Sequence, residues 1–243
     1  MESSMKRICI VFVSLAVVTT SYAQDPNIPW VSLFNGRSLE GWKMVGSTGH
    51  AEVTDGMIQC HQVANTPEHT FVCTQDRFSD FILEMDVKTD PDYNTGILLR
   101  CIDRDPNSTT SYVSLYGYQI KIDPTPRAWT GGVFDDFGKT WNWLHPLDKD
   151  ERARKAYTIG QWNHFRVEAI GTTLKVWVDG IPTTHMVHSK YTKGYIALKI
   201  HSLKNQPEKE KQLGRFKNIM IITDHPEKYL QPMDILARVI DEN

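Results

Sequence analysis

Apolar and polar side chains alternate along most of this chain, and a period of two fits extended strands rather than helices. From Phe81 to Lys88, the residues Phe81, Leu83, Met85 and Val87 share one side of an extended backbone, while Ile82, Glu84, Asp86 and Lys88 share the other. Tyr118 to Asp123 and Tyr195 to His201 repeat the pattern, and Gly96 to Cys101 reads as a largely buried strand with polar Arg100 near its end. His164–Ala169 and Leu174–Val178 flank Gly171-Thr172-Thr173 as a hairpin, Asp179-Gly180 supplies the next turn, and Phe216–Ile221 adds another strand. Short strands separated by Gly, Pro, Asn and Asp predict an all-β sandwich or jelly roll of two antiparallel sheets. The alternation places Leu83, Met85, Ile120, Ile122, Leu198 and Ile200 in its core.

Two segments break the pattern. Residues 124–157 are rich in aromatic and charged side chains and too long for a simple connection, which predicts a functional or disordered loop. Residues 232–243 read as a short helix, with Met233, Leu236, Ala237 and Ile240 on one side. No internal repeat or linker divides the chain.

At the N-terminus, Lys6 and Arg7 precede an apolar run from Ile8 to Val18, and Ser21-Tyr22-Ala23 follows. This is the order of a secretory signal peptide, and the run is shorter than the roughly 20 residues that span a bilayer. The expectation is cleavage after Ala23, no stable membrane insertion, and a periplasmic or secreted single domain over residues 24–243. Cys9 lies inside the apolar run, away from the cleavage point, and does not indicate a lipid anchor. A net charge of −2 gives no electrostatic footprint for nucleic acid. Cys60, Cys73 and Cys101 have no C-x-x-C spacing, so zinc and redox chemistry are not indicated; a Cys60–Cys73 disulfide and three buried thiols both remain open.

The polar side of the strands carries the candidate chemistry: Glu84 and Asp86 on one, Gln119, Lys121 and Asp123 on another, Lys199 and His201 on a third, with Arg100 at a strand end. If those strands are neighbours, ionisable groups of both signs line one concave face. Trp129, Phe134, Phe137, Trp141, Trp143 and His145 of the long segment could wall it, because aromatic rings stack on the apolar face of a sugar. The competing reading is a set of solvated strand faces beside a packed aromatic cluster.

Val31 to Trp42, containing Leu33-Phe34-Asn35-Gly36, is similar to the LFNGKDLDGW opening of the 3-keto-disaccharide hydrolase domain family. Glu52–Ile58, Ser79–Met85, Asn94–Arg100, Gln161-Trp162-Asn163, Val178-Asp179-Gly180, Leu198–His201 and Arg215–Ile219 resemble its later motifs, in order. Gly117–Asp123 fits the family's G-x-E-x-Q-x-x-D with departures: Gln119 stands where the family usually has Glu, and Lys121 and Lys199 stand where it usually has Gln.

The resemblance implies a concanavalin-A-like jelly roll that cleaves glycosides oxidised at C3. Such a ketone acidifies the C2 proton, so the glycosidic oxygen on C1 can leave by elimination and water can add back. This needs a base at C2, positive charge at the enolate oxygen and an acid at the leaving oxygen. Glu84, Asp86, Asp123 and His201 are the acid–base candidates, and Lys121, Lys199 and Arg100 the enolate-holding ones. Arg100, Gln119, Asp86, Trp129, Trp141, Trp143 and His145 are candidates for binding the sugar. No cofactor is required; two carboxylates with His201 would suit a divalent metal, without a signature spacing. A lectin-like carbohydrate-binding module, a conventional glycosidase with paired carboxylates and a structural protein of the cell envelope are the alternatives.

Overall fold

A computed structural model describes residues 27–105, 114–135 and 142–241; the expected signal segment, Phe137 and Trp141 lie outside them. In chain order the strands are β1 (Val31–Ser32), β2 (Trp42–Gly46), β3 (His50–Thr54), β4 (Met57–His61), β5 (Thr70–Thr74), β6 (Phe81–Thr89), β7 (Thr95–Asp103) and β8 (Leu115–Ile122). They continue as β9 (Val133–Asp135), β10 (Asn142–His145), β11 (Asn163–Ile170), β12 (Thr173–Val178), β13 (Ile181–Val187), β14 (Tyr195–Ile200), β15 (Leu213–Ile222) and β16 (Arg238–Val239).

These strands form two sheets. The nine-stranded sheet runs β16-β13-β12-β11-β6-β15-β4-β3, with β1 added beside β15; the seven-stranded sheet runs β10-β9-β8-β7-β14-β5-β2. Every pairing is antiparallel except β13 with β16. This is the jelly-roll sandwich that the alternation predicts. Phe81, Leu83, Met85 and Val87 of one sheet meet Ile120, Ile122, Leu198 and Ile200 of the other in one buried core. At one edge Thr183 and Thr184 of β13 donate to Gly131 O at 3.1 and 2.7 Å, tying the β8–β9 loop to the opposite sheet. Gly131 permits this approach: its φ is +92°, and a Cβ there would lie 2.4 Å from Thr183 Oγ1.

Two expectations change, and one open alternative is decided. Residues 124–157 extend the seven-stranded sheet by β9 and β10 and carry a single helical turn, Glu151–Arg154, N-capped by the Asp150 carboxylate on Ala153 N–H at 2.9 Å. The C-terminal tail is extended rather than helical. Leu236 is 94% exposed, so the apolar side of the expected helix has nothing to cover; backbone pairing holds the tail instead, including Ile240 N–H to Val187 O at 3.0 Å. The thiols are free: Cys60 lies in the central core and Cys73 in a separate apolar cluster with Phe71, Leu98 and Tyr195. Among the described residues, no helix is long and apolar enough to cross a membrane.

Candidate active site

Strand register assembles the site on the outward side of the seven-stranded sheet. Ala197, Leu98, Gln119, Phe134 and Trp143 form one cross-strand row over β14, β7, β8, β9 and β10. In the adjacent row Lys121 faces Gly96, and Lys199 faces Phe71. Lys121, Lys199 and Gln119 are buried, yet their partners lie on the outward face and not in the core. Lys199 Nζ donates to Gln119 Oε1 at 2.9 Å, and Lys121 Nζ donates to Asn94 Oδ1. Because an ammonium only donates, Lys199 fixes which end of the Gln119 amide is oxygen. The Nε2 end lies over Gly96 and has no hydrogen-bond acceptor among the described residues.

Two histidines stand beside the lysines. The rings of His69 and His201 are 4.3 Å apart, and both bind the backbone of Ser202. Ser202 N–H donates to His69 Nδ1 at 3.0 Å, whereas Ser202 O lies 2.9 Å from His201 Nδ1. A carbonyl cannot donate, so His201 carries its proton on Nδ1 and presents the lone pair of Nε2. His69 accepts at Nδ1 and carries its proton on Nε2. Burial and the nearby ammonium groups of Lys199 and Lys121 push His201 down to about 3, and the same causes drive His69 far below the usual histidine range. Both rings are neutral at ordinary pH. Gln62 Nε2 holds His201 O at 3.1 Å.

An aromatic group extends from Gln119. Phe134 packs at 5.7 Å from Trp143, Trp143 meets Trp129 edge-on at 4.8 Å, and Lys199 Nζ lies 5.8 Å from the Phe134 centroid. The Arg127 guanidinium covers both tryptophans at 4.9 and 5.1 Å. Asp123 positions that guanidinium: its Oδ2 accepts from Arg127 Nε at 2.7 Å and its Oδ1 from Thr125 Oγ1 at 2.7 Å. Burial opposes ionisation of Asp123, but the hydrogen bonds from Thr125 and Arg127 hold its carboxyl below the usual range.

A family model for the 3-keto-alpha-glucoside-1,2-lyase-like domain matches residues 29–222. The chain belongs to this family. No curated protein matches it by sequence. Among solved structures it is similar to a candidate glycosyl hydrolase of Parabacteroides distasonis, at 17% identity and a TM-score of 0.56, over 80% of this chain and 93% of that one. It is also similar to a Bacillus subtilis protein of unknown function with a galectin-like fold, at 12% identity and a TM-score of 0.53, over 77% and 92% of the two chains. At these identities the likeness is one of fold. Family membership makes the protein a glycosyl-hydrolase-like or carbohydrate-binding jelly-roll domain.

Within this family member, several residues singled out from sequence lie elsewhere. Glu84 and Asp86 do point outward, but from β6 of the nine-stranded sheet, so the core separates them from Lys121 and Lys199. There Glu84 binds Arg166 at 2.6 Å and Asp86 binds His164 at 3.0 Å. Arg100 is not at the edge of the site. It sits at a bulge with φ of +51°, and its guanidinium donates to Ser79 O, Gly171 O, Tyr191 O and Asp80. Asp123 has both oxygens engaged and serves as a brace for Arg127 rather than a free acid or base. His145 follows a register shift after Trp143; burial and the charge of Arg238 lower its pKa, placing it toward the C-terminal tail. Among the described residues, no group of three His, Cys, Asp or Glu side chains is placed to hold a metal ion. The sequence reading missed His69 and Asn94: each stands in a loop just before a strand, where alternation carries no information.

Proposed function

We propose that this protein cleaves 3-keto-glycosides by elimination and rehydration on the outward side of the seven-stranded sheet, and that it does so as an exported enzyme. The observation that carries the reading is the clamp of Ser202 on two neutral histidines beside two lysines. His201 Nε2 takes the C2 proton, and the electron pair moves onto the C3 oxygen as an enolate. The ammonium groups of Lys199 and Lys121 hold that oxygen. The growing negative charge raises the proton affinity of His201 as the proton arrives. Collapse of the enolate restores the C3 carbonyl, forms a C1–C2 double bond and breaks the C1–O bond. The His201 imidazolium, a strong acid with a pKa of about 3 in the resting site, passes its proton to the departing oxygen. Water then adds at C1 and a proton at C2, completing a net hydrolysis. Phe134, Trp143 and Trp129 supply a stacking wall for the sugar. The N-terminal order of Lys6-Arg7, apolar run and Ser21-Tyr22-Ala23 supports export.

Paired-carboxylate hydrolysis has less support, since Glu84, Asp86 and Asp123 are all tied to cationic neighbours. The test is turnover of a 3-keto-glucoside against its unoxidised parent in D₂O, with an enzyme-free control. Cleavage of the keto substrate alone, with deuterium entering at C2, is the expected result. His201→Asn is expected to lower turnover by roughly 10²- to 10⁴-fold, and the acid limb of kcat/KM should lie near pH 3 and not near 6.5. Cleavage of the unoxidised parent without C2 deuterium would overturn the mechanism; saturable sugar binding with no turnover would make the protein a binding module.

A further inference from the structure

Elimination and rehydration give a task to His201 but none to His69, although His69 is held just as firmly. Its carbonyl accepts from Ser47 N–H at 3.2 Å, and Gly46 approaches that carbonyl so closely that a Cβ would collide with it. Ser202, which binds both rings, is itself fixed. Ala64 bridges to Leu203, Asn65 N–H donates to Lys204 O at 2.9 Å, and Gln62 Nε2 donates to His201 O. Both rings turn Nδ1 to the backbone of this one residue, so both Nε2 atoms face away from it. Neither Nε2 makes a hydrogen bond among the described residues, and both histidines are half-buried. Lys121 and Lys199, by contrast, are 2% and 3% exposed and donate to Asn94 and Gln119. A substrate on this face meets the imidazoles directly and feels the buried ammonium groups as a field.

The two Nε2 atoms are chemical opposites. Ser202 offers its carbonyl to one ring and its N–H to the other, so His201 presents a lone pair and His69 an N–H. Rings 4.3 Å apart can serve neighbouring atoms of one substrate. Burial first, and then the charge of Lys199, keeps His69 from taking a second proton. Nor can it readily lose the proton it has, because that would leave an imidazolate anion. His69 therefore gives a hydrogen bond and not a proton. The departing glycosidic oxygen needs a whole proton, whereas the C3 oxygen gains negative charge without one. A neutral histidine with a lowered pKa is suited to polarising such a carbonyl.

We infer that His69 is a second catalytic residue of this site, donating Nε2–H to the C3 carbonyl oxygen while His201 works at C2. The inference rests on the elimination reading. As His201 Nε2 takes the C2 proton, the C2–H electron pair forms the C2–C3 double bond and the carbonyl pair moves onto oxygen. His69 keeps its own proton throughout and its hydrogen bond shortens as that charge grows.

The test uses a 3-keto methyl C-glucoside, in which a methyl group replaces the glycosidic oxygen and cannot leave. Deuterium uptake at its C2 in D₂O, against an enzyme-free control, reads enolate formation alone. His69→Phe is expected to slow uptake, and cleavage of a 3-keto-glucoside, by roughly 10²- to 10³-fold per folded molecule, with KM little changed. His69→Gln places an amide N–H near the position of Nε2 and should recover most of that loss. The infrared carbonyl band of the bound ketone should lie lower in the native protein than in water, and should move back in His69→Phe. Uptake undiminished in His69→Phe would overturn the role of His69 alone, as would a carbonyl band that the native protein leaves unshifted. Uptake absent from the native protein would overturn the elimination reading and this inference with it.

Discussion

A methyl group at Gly96 would lie 2.5 Å from Gln119 Nε2 and 2.7 Å from Gln119 Cγ, so the entire amide would have to move. Lys199 would then lose the oxygen that orients it. Gly96→Ala is expected to cut turnover about 10- to 100-fold through misplacement alone and to cost about 1–3 kcal/mol of stability from overpacking. The double variant Gly96→Ala, Gln119→Ala removes the clash, so urea titration should show stability regained while kinetics show activity still low. Activity regained together with stability would mean that Gln119 positions nothing. At this scale the sequence was partly legible. Gln119, Lys121 and Lys199 could be assigned to an outward side because each alternates with core residues. Gly96 and His69 could not, because a missing side chain and a lone loop histidine leave no periodic mark.

Between elements, Arg100 connects parts that sequence alone kept separate. Its guanidinium, 2% exposed as a residue, reaches from β7 to the residues before β6, to the β11–β12 hairpin at Gly171 and to Tyr191. Arg100→Met leaves three carbonyl groups and Asp80 short of a donor. It should lower the unfolding free energy by roughly 2–4 kcal/mol in urea titration, with little change in kcat per folded molecule. A large drop in kcat without loss of stability would return Arg100 to the site. The same element scale explains the misplacement of Glu84 and Asp86. Alternation states which side of a strand faces the core, but a sandwich has two outward sides, and only pairing decides between them. β6 pairs with β11 and β15, whereas β8 and β14 both flank β7, so residues of equal polarity and equal parity end up on opposite sides of the molecule.

For the molecule as a whole, its histidines set opposing limits on stability with pH. His164, whose usual value is 6.5, is held at about 9 when folded. Between those values the folded state keeps a proton that the unfolded chain releases, so stability falls as pH rises through that window. His201, at about 3 when folded, and His69, lowered further, act in reverse: below 6.5 the unfolded chain takes up protons that the folded rings refuse, and stability falls with falling pH. Urea midpoints are therefore expected to peak near pH 6.5. His164→Gln should flatten the alkaline side and leave the acid side intact. An unchanged alkaline slope in that variant would sink the assignment.

The three thiols of the sandwich are each fully buried, and burial pushes Cys60 and Cys73 toward the protonated, unreactive form. Cys60 and Cys73 also belong to different sheets and to different apolar clusters. Among the described residues, folding therefore closes no disulfide, and none of these three thiols is offered to an oxidant. Reducing agents in an assay buffer are therefore expected to leave its thermal midpoint unchanged.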